Sequence, residues 1–106
     1  MTLDWNEHPE AREEFLDAHE RYLGIEDGRL GDEFADAAES AAELILQWPD
    51  APPPYRGRRG KPMIRTWHLD KFPYRLVYVV HEEEIFVLAY AHEARRPGYW
   101  SHRLRD

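Results

Sequence analysis

The sequence predicts an α+β domain in which an N-terminal helical hairpin packs on a small β-sheet. Two features carry this. Apolar residues recur at helical spacing up to Trp48, and beyond residue 63 they gather into short runs of strand formers. With 106 residues, 42% of them hydrophobic, the chain can build one modest core, so 1–106 reads as a single domain.

Leu3-Asp4-Trp5 opens the chain as a short strand. His8-Pro9 fits a helix start, because proline is tolerated at the first helical position. Ala11, Phe15, Ala18 and Tyr22 then form one apolar stripe, and Gly24 with Asp27-Gly28 marks a turn. The second stripe runs through Leu30, Phe34, Ala37, Ala41, Ile45 and Trp48. Pro49 stops it, and Pro52-Pro53-Pro54 keeps the following stretch extended. Residues 55–62, YRGRRGKP, make a basic loop. Met63, Trp67 and Leu69 are expected on one face of a strand, with Arg65 among them. Phe72-Pro73-Tyr74 leads into a strand over 75–80, and Glu82-Glu83 connects it to another over 85–91. That connection has neither glycine nor asparagine, the usual residues of tight hairpin turns, so no turn type is assigned. Both late strands are apolar on both faces. The helices can cover one face; the other needs the C-terminal segment or a partner.

Composition narrows the function. The absence of cysteine excludes disulfides, zinc–thiolate sites and thiol catalysis. The opening MTLDWNEHPEAREEF places charges where a signal peptide needs an apolar core, and no run approaches the roughly 20 apolar residues of a membrane span. A soluble cytoplasmic protein without membrane contact is expected. The net charge of −7 is unevenly spread: residues 1–50 hold fifteen acidic and three basic side chains, and residues 51–106 hold six acidic and eleven basic. The second half can therefore present a basic face, or the two halves can neutralise each other. YRGRRGKP lacks the order of a phosphate-binding loop, and Ser40 and Ser101, the two serines, lie in no nucleophile context. His92, Glu93 and His102 match no standard metal-ligand spacing. No cofactor or metal is expected.

The wording of the second half resembles the RelE/ParE superfamily of type II toxin–antitoxin toxins. The resemblance rests on Phe72-Pro73-Tyr74-Arg75-Leu76-Val77-Tyr78, on the apolar run from Ile85 ending in Ala91-His92, and on Arg95-Arg96-Pro97-Gly98-Tyr99-Trp100 with Arg103. Gly31 and Phe34 in the alanine-rich second helix add weaker agreement. The resemblance implies two N-terminal helices on a twisted, mainly antiparallel sheet. It also implies a cognate antitoxin whose C-terminal segment wraps and neutralises the toxin, burying apolar surface.

The superfamily divides by target. ParE-like members poison DNA gyrase through a protein contact and are not enzymes; RelE-like members cleave messenger RNA in the ribosome. Cleavage by a 2′-hydroxyl needs a base, an acid and cations for the developing charge. Arg65 and Arg75, expected to reach one concave surface, with His92 and Tyr99 as proton carriers, are the catalytic candidates if the chain is RelE-like. Candidates for binding the target or the antitoxin are Arg58, Arg59, Lys61, Arg95, Arg96, Trp100 and Arg103. The bland reading is that Tyr99 and Trp100 pack, that Arg103 pairs with an acidic helix residue, and that His92 is structural. A charge of −7 suits a gyrase-binding protein better than a ribosome-docking nuclease, and the RRPGYW ending looks closer to ParE-like members. ParE-like growth inhibition is therefore the favoured expectation, with the nuclease or an inactive toxin-like binding domain as alternatives.

Overall fold

The computed structural model describes residues 3–56 and 62–104. The elements follow in the order β1 (Asp4–Glu7), α1 (Pro9–Leu23), α2 (Arg29–Gln47), β2 (Ile64–His68), β3 (Tyr74–His81), β4 (Glu84–His92) and a 3-10 turn (Ser101–Arg103). β2, β3 and β4 form an antiparallel meander, and β1 adds in parallel beside β4, giving the sheet order β1-β4-β3-β2. The expected α+β architecture, mainly antiparallel with a helical hairpin on one face, is the observed one.

Local chemistry explains the helix boundaries. His8 caps α1, its Nδ1 accepting from the Glu10 amide at 3.0 Å, and Pro9 occupies the first helical position. Gly28, at φ 81°, adopts the left-handed conformation that starts α2. Gly31 then lets the helices close on each other: a Cβ at this position would lie 2.4 Å from Leu23 Cδ2 and 2.9 Å from the Leu23 backbone nitrogen.

The stripe on α1 is where the spacing put it, with Ala11 and Ala18 buried and Phe15 and Tyr22 packed against the core. On α2 the buried line is Gly31, Phe34, Ala38, Ala41 and Ile45. Three members of the expected stripe fall outside it: Ala37 is only half-buried beside Ala38, and the two ends, Leu30 and Trp48, are 38% and 61% exposed. Leu30 gives way to Gly31, the residue that meets α1, and Trp48 has already left helical geometry at φ −133°. Met63 is also exposed, whereas Leu69 is fully buried just beyond β2.

The sheet separates two apolar clusters. The helix-facing one joins Phe34 and Ile45 to Tyr74, Leu76, Tyr78, Ile85, Val87 and Tyr90. The other face carries Ile64, Val77, Val79, Phe86, Leu88 and Ala89, and Trp100 from the C-terminal segment covers it. A β-bulge underlies the lack of alternation in β4: Val87 pairs with Tyr78 and Ala89 with Val77, leaving Leu88 without a counterpart. Leu88 and Ala89 consequently serve the same cluster. Glu82-Glu83 forms a two-residue turn between paired His81 and Glu84, with Glu82 at φ 55°.

The closeness of Gly31 to Leu23 predicts that Gly31→Ala overpacks the hairpin and costs about 1–3 kcal/mol. Chemical denaturation should show the loss as a lower midpoint; an unchanged midpoint would mean the helices can separate freely.

Candidate functional site

The C-terminal residues 93–104 are built around the outer edge of β4. β1 accompanies β4 only from Glu84 to Val87, and the His8 amide extends that contact with a 2.8 Å bond to the Val87 carbonyl. Beyond it, side chains stand in for a strand. Arg103 donates to the Leu88 carbonyl at 3.0 Å, and Glu14 accepts from the Tyr90 amide at 3.1 Å. The two side chains also bond each other as a fork, Nη1 to Oε1 at 2.9 Å and Nη2 to Oε2 at 3.0 Å. The Tyr99 hydroxyl donates to the same carboxylate at 2.7 Å. One carboxylate on α1 thus gathers the helix, β4 and the C-terminal segment. Glu7 does the same for the opening strand, accepting from the Tyr90 hydroxyl at 2.6 Å and from Trp5 Nε1 at 3.0 Å.

The segment lies over the second face. Trp100 is buried there with its ring 5.2 Å from that of Tyr55, and Arg103 is only 6% exposed. The Arg95 guanidinium stacks on Tyr99 at 3.9 Å from the ring centre, with Arg103 at 5.2 Å from the same ring. Arg96 projects into solvent. Arg58, Arg59 and Lys61 lie outside the described residues.

Of the four candidates for RNA cleavage, Arg65 and Arg75 lie on opposite faces of the sheet. Arg65 pairs in register with Tyr78, on the helix side, where it donates to the Pro52 and Asp50 carbonyls and forms an ion pair with the Asp50 carboxylate at 3.7 Å. It staples the exit of α2 to the sheet, together with the 2.8 Å bond from the Tyr78 hydroxyl to the Pro49 carbonyl. Arg75 pairs with His68 and Ala91 and, between the helix-side residues Tyr74 and Leu76, points to the opposite face. Arg65 and Arg75 therefore do not share the single concave surface expected of them. His92 sets its ring edge-on to Tyr74 at 5.0 Å, and its Nδ1 accepts from the Ala94 amide at 2.9 Å. Among the described residues no group of three or more His, Asp or Glu is placed to hold a metal ion.

Electrostatics stiffen this arrangement. Burial, reinforced by its bond to Glu14, raises the Tyr99 pKa well above that of a free phenol. Burial and the bond to Glu7 do the same to Tyr90, and burial lifts Tyr78 to about 12. Each shift keeps the phenol protonated, the opposite of what a tyrosine acting as a general base requires. Burial works against the charge of Arg103, but its hydrogen bonds and ion pair with Glu14 outweigh burial and raise its pKa.

Glu14 is the residue that sequence reasoning overlooked, as one acid among many. The available signal was its position: three residues after Ala11 and four before Ala18, it lies on the buried stripe of α1.

No protein-family model matches this chain, and no curated protein matches it in sequence. Among solved structures, a chain of the chromosomal ParDE TA system from P. aeruginosa superposes with a TM-score of 0.68 at 13% identity, covering 86% of this chain and 96% of its own. The protein shares the α+β fold of that chain. No helix among the described residues is long and apolar enough to cross a membrane.

Removing one partner of the Glu14–Arg103 pair leaves the other charge partly desolvated, so Glu14→Ala should cost about 3 kcal/mol. Hydrogen exchange at the Tyr90 amide would accelerate with it; unchanged protection there would show that the carboxylate does not hold the edge. For the tyrosines the folded pKa lies above the unfolded value. Their contribution to stability is then complete below pH 10 and is lost as pH rises through the folded values, near 12 for Tyr78. Tyr78→Phe should flatten the fall in stability measured between pH 10 and 12.

Proposed function

We propose that the chain is the toxin of a type II toxin–antitoxin module, silenced by a cognate antitoxin, and that it arrests growth in the ParE manner by binding DNA gyrase. The fold likeness to a chain from a ParDE system supports the toxin class. One observation supports the choice of mechanism: three of the four groups named for a nuclease are engaged in holding the fold together. Arg65 is bonded to the exit of α2, the Tyr99 hydroxyl donates a hydrogen bond to Glu14, and His92 Nδ1 accepts one from a backbone amide. RNA cleavage needs these groups converging on one phosphate, and Arg65 and Arg75 face opposite ways. A gyrase-binding protein needs a shaped surface and no proton relay. The acidic balance of −7 agrees, since a field of that sign opposes docking on ribosomal RNA.

Induced expression of the chain alone in bacteria tests this, with plasmid supercoiling and message integrity followed together. The expected result is growth arrest with gyrase-linked DNA damage and intact messages, relieved by co-expression of the antitoxin. Codon-positioned cleavage of messages would overturn it in favour of the RelE mechanism. Absence of arrest would leave a toxin-like binding domain.

A further inference from the structure

We propose that Lys71, Arg75, Arg95 and Arg96 form one anion-binding surface that takes an acidic peptide segment of a protein partner. The proposal rests on the toxin reading for the existence of such a partner, and adds where on this chain it is held and by what chemistry.

Among the described residues, Arg12, Arg29, Arg65 and Arg103 stand in ion pairs with Glu7, Glu33, Asp50 and Glu14, and Arg21 donates to the Tyr74 hydroxyl. In a chain with 21 acidic side chains this is the ordinary outcome. Lys71, Arg75, Arg95 and Arg96 depart from it, having no carboxylate partner among the described residues, as does Arg56 in the loop beyond α2.

Topology puts those four at one end of the sheet. Arg75 is the second residue of β3, in register with Ala91 near the end of β4 and with His68 at the end of β2. Lys71 sits in the β2–β3 loop, and Arg95 and Arg96 in the turn that leaves β4. The loop and the turn are joined by the bond from the Glu93 amide to the Pro73 carbonyl at 2.9 Å. All four side chains belong to exposed residues.

Arg95 is also pre-oriented. Its guanidinium is laid on the Tyr99 ring, and Tyr99 is fixed in turn by the 2.7 Å bond to Glu14. A stacked guanidinium keeps its donors available at its edges and loses less freedom on binding a carboxylate. Residues 70–75 and 93–96 carry these four cations against two acids, Asp70 and Glu93, and Glu93 is held by His68 at 2.9 Å. These two stretches therefore keep a positive excess on a chain that is otherwise acidic.

That contrast identifies the occupant. A long polyanion such as RNA would extend past the patch onto the acidic helices, whose residues 9–47 carry twelve Asp or Glu against three Arg. A short acidic peptide covers the patch alone.

The test uses fluorescence anisotropy of a fluorescein-labelled hexaglutamate peptide with the full chain at low salt. The wild-type chain should bind it. The Arg95→Ala, Arg96→Ala double variant should bind about tenfold more weakly, as expected for two charge contacts near the upper end of the usual surface range. A control variant carrying Arg12→Ala and Arg29→Ala, cations already paired on the helices, should keep wild-type affinity. Denaturation midpoints compared across the variants establish that the fold is intact. The proposal fails if wild type does not bind, if both variants lose affinity equally, or if a labelled oligothymidine of equal charge binds more tightly than the peptide. Growth arrest without hexaglutamate binding would remove this surface and leave the toxin reading standing. Binding through these arginines without arrest would keep the surface and remove the toxin.

Discussion

Past Val87 the outer edge of β4 has no strand beside it among the described residues, and the structure depends on how that edge is satisfied. Buried backbone groups left without partners each cost about 1–3 kcal/mol. Here the Leu88 carbonyl and the Tyr90 amide are met by Arg103 and Glu14, which satisfy each other in the same step. The bulge at Leu88 and the shortness of β1 make this necessary. The solution draws residues 93–104 across the second face, where Trp100 seals Phe86 and Leu88 from water. The edge and the second apolar face are therefore closed by one segment anchored at one carboxylate.

This anchoring decides which polar residues remain available to other molecules. The uneven charge of the two halves is partly neutralised inside the fold, where Glu14 meets Arg103, Glu10 meets His102 and Asp50 meets Arg65. These contacts remove the most buried arginines from any role at the surface. They leave exposed cations at the end of the sheet where β4 stops, presented by a turn whose tyrosine is held from below. Exposed cations so placed suit recognition through charge and shape, the role proposed for them above.

Sequence pattern alone determined the helical hairpin, the His8-Pro9 start of α1, the late strands and the need for a cover on their second face. Each follows from local rules: apolar periodicity, proline and glycine placement, and strand-forming runs act over a few residues. Two limits appeared even there. Leu30 and Trp48 matched the period of α2 but not its buried face, because the contact with Leu23 selects Gly31 and the helix ends before Trp48. Tertiary structure alone decided the rest. Arg65 and Arg75 are ten residues apart and equally plausible as partners in sequence, yet the antiparallel register sends them to opposite faces. Glu14 looked like any other acid of an acidic helix until Arg103, 89 residues away, reached it. The reason is physical: spacing within an element fixes which way a side chain points relative to its neighbours, whereas the partner it meets there depends on register and chain crossing, which local sequence does not encode.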